Sequence, residues 1–156
     1  MAKRSSFVTR YGITIIELTI VMLILGILAA VVTPAYSAAI NRYRIDLAAH
    51  RVAADLQYAK TEAQRVGQPR TVRFDVDSNS YALESVSDIK ISANDYLLNL
   101  ADEPYQTTLV SALFNGSNEV EFDIYGRPSS SGEVILQLGT LQKIVNLSAD
   151  GVTSIP

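Results

Sequence analysis

Cysteine is absent from all 156 residues. That excludes a disulfide framework and any thiolate metal site, so the folded part must stand on packing alone. There is one histidine, His50, and it lies beside Arg51 on a helical pattern with no second imidazole near it. It reads as a surface or groove histidine rather than a general base, and no paired-His metal motif can form. No nucleophile elbow or phosphate loop is present either, so neither an enzyme nor a bound cofactor or metal is expected. Charge is missing selectively: the first twelve residues carry Lys3, Arg4 and Arg10 but no acid, and Asn146–Pro156 contains no base. A nucleic-acid grip needs clustered Lys or Arg to neutralise phosphates, and nucleic acid is not an expected partner.

What the chain has in quantity is an uncharged apolar run. From Leu18 to Asn41 there is no charged side chain, and a single carboxylate, Glu17, stands at its entrance. At a rise of about 1.5 Å per residue, about 20 residues cross a hydrocarbon core, so the run predicts a membrane span. The three leader cations then predict an amino terminus held in the cytoplasm. A carboxylate at that depth costs about 2.5–3.5 kcal/mol, so Glu17 needs a cationic partner. Competing readings are a plain signal anchor, a buried core helix, which would be amphipathic, and a cleaved secretory signal, which would be shorter.

The order Gly12-Ile13-Thr14-Ile15-Ile16-Glu17-Leu18, between a short basic leader and an apolar helix, resembles the processing motif of type IV prepilins and type II secretion pseudopilins. The resemblance implies that a prepilin peptidase cuts between Gly12 and Ile13 and methylates the new amine of Ile13. It also implies that Glu17 pairs with that ammonium on a neighbouring filament subunit. Glycine before the cut lets the backbone approach the enzyme, as only a residue without Cβ can. The family usually places Phe after the cut, and this chain has Ile13. Gly26 and Pro34 fall where pilin helices resemble one another, in a half that can loosen on assembly.

Beyond Pro34 a stripe of Ile45, Ala49, Val52, Leu56, Ala59, Ala63 and Val66 recurs in steps of four and three, the face of a helix made for burial. Arg44, Arg51, Asp55, Glu62 and Arg65 read as its solvated side, with Arg42–Asp46 and Arg51–Asp55 as possible pairs four apart. Gly67 suits a left-handed cap and Pro69 cannot extend the helix, which should stop near Val66. From Arg70 the period falls to two: Val72, Phe74 and Val76 alternate with polar residues, and strands follow at Tyr81–Leu83, Thr107–Phe114, Val120–Ile124, Val134–Leu138 and Ile144–Leu147. Asn115-Gly116 is a hairpin signal. Residues 85–106 read as a variable loop with one short strand or helix. Its acids Asp88, Asp95, Asp102 and Glu103 have no EF-hand spacing and read as solvated rather than as a calcium site.

The run Ala54-Asp55-Leu56-Gln57-Tyr58-Ala59-Lys60 through Gly67-Gln68-Pro69, the Phe74-Asp75 strand and Phe122-Asp123-Ile124-Tyr125-Gly126-Arg127-Pro128 resemble the GspH/FimT family of minor pseudopilins and minor pilins. That implies an α+β, pilin-like fold, with a long amino-terminal helix on an antiparallel sandwich of two sheets. The expected organisation is a cleaved basic leader over 1–12, a transmembrane or filament-core helix over 13–34, its amphipathic half over 35–67, and a periplasmic β-rich domain over 68–156. Loss of the leader removes three of 13 basic side chains and none of 16 acidic ones, leaving 10 against 16, a net side-chain charge of −6.

The function implied is that of a minor pseudopilin in a type II secretion filament that promotes protein export. A minor pilin of a type IV pilus, including one for DNA uptake, is the alternative, and a monomeric membrane-anchored interaction module is a third reading. Expected partners are the prepilin peptidase, other pseudopilins or pilins, an inner-membrane assembly platform and membrane lipid. The expected location is the bacterial inner membrane as a single-pass protein with a periplasmic carboxyl-terminal domain, then a periplasmic filament.

Overall fold

The apolar stripe and the uncharged run both lie on one helix, α1, Ile15–Val66. The computed structural model describes residues 12–84 and 96–156, without the side chains of 31–35. The chain divides into two compact units, Met1–Ala38 and Ala39–Pro156, and α1 contributes to each.

In the first unit, α1 begins at Ile15 rather than at the expected Ile13, because Thr14 caps it. The helix continues through Gly26 and Pro34. No helix among the described residues is long and apolar enough to cross a membrane. That overturns the expected inner-membrane location, with its single-pass span over 13–34, cytoplasmic amino terminus and periplasmic carboxyl-terminal domain. The leader over residues 1–11 lies outside the described residues.

The second unit is an α+β domain. Ile45, Ala49, Val52, Leu56, Ala59 and Ala63 are buried as the periodicity predicts, joined by Ala48, while Val66 is left 39% exposed at the end of the stripe. Gly67, at φ 69°, donates its N–H to the Ala63 carbonyl at 2.9 Å and stops the helix where the sequence indicates. The strands are β1 (Arg70–Asp75), β2 (Ser80–Leu83), β3 (Tyr96–Asn99), β4 (Thr108–Phe114), β5 (Glu119–Phe122), β6 (Gly132–Leu138), β7 (Leu141–Leu147) and β8 (Thr153–Ser154).

They form two four-stranded antiparallel sheets, ordered β3-β2-β1-β5 and β4-β6-β7-β8. Inward residues of both sheets, including Val72, Phe74, Leu83, Phe114, Val134, Leu136 and Val145, share one core with α1. Across it Phe74 of β1 stacks on Phe114 of β4, with ring centroids 5.7 Å apart.

Three expectations need correction. Asn115 and Gly116 do make a tight turn with positive φ at both positions, and Phe114 and Ser117 exchange backbone hydrogen bonds of 2.8 and 3.1 Å. Yet β4 and β5 belong to different sheets, so the turn carries the chain from one layer to the other instead of closing a hairpin. Asn118 draws it across: its amide donates to the Phe74 carbonyl at 2.7 Å, and its own carbonyl accepts the Phe74 N–H at 2.9 Å. Asp46 pairs with Lys143 of β7 at 3.1 Å rather than with Arg42, a tertiary partner replacing a local one. Asp55 lies not on a solvated face but in the core, 6% exposed. Of the variable loop, 96–106 contains β3, and residues 85–95 lie outside the described residues.

Candidate functional site

The head of α1 gathers the expected processing and assembly residues. Gly12 is exposed in open space and Ile13 is 78% exposed. Thr14 is the N-cap: its Oγ1 accepts the Glu17 N–H at 3.2 Å, and its carbonyl accepts the Leu18 N–H at 3.1 Å. Thr14-Ile15-Ile16-Glu17 is therefore a Thr-x-x-Glu capping sequence. Its reciprocal half is not made, and the Glu17 carboxylate has no hydrogen-bond or ion-pair partner among the described residues. It stands in the first helical turn, where the helix dipole favours an anion. Around it Ile15, Ile16, Leu18, Ile20 and Met22 are all exposed. Chemically, this is one free carboxylate within an apolar helical surface. Gly26 has no neighbour within 4 Å of where a Cβ would stand, and the Pro34 side chain lies outside the described residues.

A second constellation, in the domain, was not read from the sequence. The Tyr81 hydroxyl of β2 donates to Asp55 Oδ2 at 2.5 Å, and Arg51 Nε reaches the same oxygen at 3.1 Å. Arg51 also hydrogen-bonds the Tyr96 hydroxyl of β3 and lies 5.7 Å from that ring's centroid. Burial pushes the Asp55 carboxyl above its ordinary range, and the Tyr81 bond and the Arg51 charge only partly pull it back. Burial, followed by the charge of Asp55, raises the Tyr81 phenol. For Arg51, burial alone would lower the pKa, but its bond to Tyr96 and the charge of Asp55 outweigh that. The Arg51–Asp55 pair was legible as a spacing of four, while the two tyrosines were not.

A third set joins α1 to two loops. Gln57 Nε2 donates to the Gly151 carbonyl at 2.9 Å, Lys60 Nζ to those of Asp150 and Gly151 at 3.2 and 3.1 Å, and Gln64 Nε2 to that of Tyr125 at 2.8 Å. The sequence signal was the polar row 57-60-64 opposite glycine turns. His50 is exposed on α1. Among the described residues no group of three or more Asp, Glu or His converges as a metal site. Asp88 and Asp95 of the considered calcium loop lie outside the described residues.

A helix with a free carboxylate at its apolar head, feeding a domain of two antiparallel sheets, defines a pilin-like subunit. The chain belongs to the GspH family of type II transport proteins, whose model matches residues 48–151. This places it among the minor pseudopilins and minor pilins, a class of structural subunits. The fold is similar to that of the minor pseudopilin EpsH from the type 2 secretion system of Vibrio cholerae, with a TM-score of 0.54 at 17% identity, covering 72% of this chain and 96% of EpsH. It is likewise similar to the type IV minor pilin FimU of Pseudomonas aeruginosa, with a TM-score of 0.53 at 14% identity, covering 74% of this chain and 90% of FimU. At these identities the likeness concerns the fold. No curated protein matches the chain in sequence.

Proposed function

We propose that the protein is a minor pseudopilin, a structural subunit of a type II secretion filament that promotes protein export. A prepilin peptidase would cut it between Gly12 and Ile13 and methylate the new amine. The observation that carries this reading is the free Glu17 carboxylate, held in the first turn of a helix whose surrounding Ile, Leu and Met side chains are exposed. Such a surface calls for cover by other apolar helices, and within that cover a carboxylate must find a counter-charge. Cleavage creates one, the ammonium of Ile13 on an adjoining subunit. Removal of the leader and admission to the filament are then one event. Gly26 and Pro34 mark where the helix would loosen as subunits pack, since glycine adds backbone freedom and proline removes a helix donor.

The GspH match supports a secretion filament, and the equal likeness of FimU supports a minor pilin of a type IV pilus as the second reading. Mass spectrometry of the protein isolated from its producing cells tests the processing step. A species beginning at Ile13, with or without one added methyl, is expected, and an intact leader on the working protein defeats the reading. Glu17→Ala should be processed normally yet enter filaments poorly. Crosslinking of the domain to co-assembled subunits separates the two filament readings by the identity of the neighbours.

A further inference from the structure

Between the two loops clasped by α1 lies an open cleft of about 470 Å³, lined by Lys60, Gln64, Tyr125, Arg127 and Asp150 among others. Its walls are fixed by the chain itself. Asp123 Oδ1 accepts the N–H groups of Tyr125 and Arg127 at 2.9 and 2.8 Å, and Ser148 Oγ accepts that of Val152 at 3.1 Å. Gly126 and Gly151 bring both loops so close to α1 that a Cβ on Gly126 would stand 2.6 Å from Gln64 Nε2. With the polar groups of helix and loops spent on one another, the side chains left over are informative. The Arg127 guanidinium and the Asp150 carboxylate make no hydrogen bond or ion pair among the described residues, and the Tyr125 ring is 71% exposed. Free opposite charges thus line one rigid cleft beside an open aromatic ring.

We infer that this cleft is a docking site for a polypeptide segment bearing an acidic side chain, whose carboxylate is taken by the Arg127 fork with Lys60 beside it. A planar guanidinium matches a carboxylate in two parallel hydrogen bonds, and Tyr125 offers a flat face to the segment's backbone or apolar stem. Asp150 sets the specificity. It repels a polyanion such as a nucleic-acid backbone, on a chain whose net charge is already −3, and it accepts a basic or amide group next to the acid. Neither leader processing nor Glu17 uses this cleft. The inference rests on the filament reading only for which partner brings the segment, namely another subunit.

The test uses the full chain in its producing cells, with a photo-crosslinking phenylalanine analogue in place of Tyr125. The expected result is a discrete adduct whose linked peptide, mapped by mass spectrometry, contains Asp or Glu and comes from another filament subunit. Arg127→Glu should lower its yield roughly tenfold, as loss of one charge-assisted pair implies. Arg127→Lys should keep part of it, and exchange of the partner's acid for Arg should restore it in the Arg127→Glu chain. Because Arg127 is exposed, the thermal midpoint should not move. An adduct on an acidic segment of a protein outside the filament would uphold the cleft chemistry and defeat the filament reading instead. No adduct, an adduct indifferent to Arg127→Glu, or an adduct with nucleic acid would overturn the inference.

Discussion

The hydroxyl of Tyr81 on β2 donates a 2.5 Å hydrogen bond to the carboxylate of Asp55 on α1, and both residues are buried. A polar link at this depth ties the helix to the sheet more specifically than the alanines and valines around it can. Removing the donor leaves a buried carboxylate with only Arg51 as a strong partner. Tyr81→Phe keeps the ring that packs 5.4 Å from Phe74 and deletes only the hydroxyl. It should cost about 1–3 kcal/mol in urea denaturation, the penalty for an unsatisfied buried polar group. A loss below a few tenths would mean that the bond contributes nothing net.

The same carboxyl makes stability depend on acid in an unusual direction. Burial raises Asp55 above its ordinary 3.8, so the folded state holds this proton more tightly than the unfolded state does. Its contribution is therefore greatest below pH 3.8 and is lost as pH rises through the higher folded value. Glu62, lowered chiefly by its bond to Arg65, and Asp75, lowered by Ser78, act oppositely and add stability above the ordinary carboxylate range. The difference between the native chain and Asp55→Asn isolates the buried group. Relative to that variant, the native chain should lose stability from pH 3 to pH 7 in denaturant titrations. A difference that grows with pH would reverse the assignment.

How much of this was legible in the sequence follows the range of the interactions. The stop at Gly67, the buried row Ile45 to Ala63 and the alternation in β1 come from local periodicity, and all stand in the structure. Asp55 was misplaced because a carboxylate next to the stripe reads as solvated until its tertiary donor is known. That donor is 26 residues away. Likewise Asn115-Gly116 fixes a turn but not which sheet receives the next strand, since Asn118 decides that through Phe74. The uncharged run predicted a membrane span from composition, whereas no described helix meets the required length and apolarity. Of the candidate site, Gly12, Ile13 and Glu17 are named by their motif alone, and the structure adds the exposure of the first two and the helical position of the third. The capping role of Thr14 was written in the Thr-x-x-Glu spacing and went unread.

Gly126 and Gly139 provide a matched pair for separating backbone strain from crowding. Both have positive φ, 78° and 61°, but a Cβ on Gly139 meets nothing within 4 Å, while one on Gly126 would collide with Gln64. Gly139→Ala should cost about 1 kcal/mol from backbone conformation alone. Gly126→Ala should cost about 1–3 kcal/mol more, because Gln64 must also give up the Tyr125 carbonyl. Urea midpoints of the two variants decide this, and equal losses would show that Gln64 yields freely.

Thr14 holds the turn that carries Glu17, so its loss should be felt at the Glu17 amide before anywhere else. The Thr14 hydroxyl is the acceptor for that N–H, and N-cap removal costs about 1 kcal/mol. Thr14→Ala should therefore speed hydrogen exchange at Glu17 by roughly fivefold, the factor corresponding to that energy, with little change at Leu56 in the domain core. Thr14→Ser retains an acceptor and should leave exchange nearly native. If the carboxylate must be presented from an ordered turn to meet its ammonium, Thr14→Ala should also enter filaments less readily than Thr14→Ser, while both are cut equally between Gly12 and Ile13. Faster exchange with unchanged incorporation would show that Glu17 pairs equally well from a frayed helix.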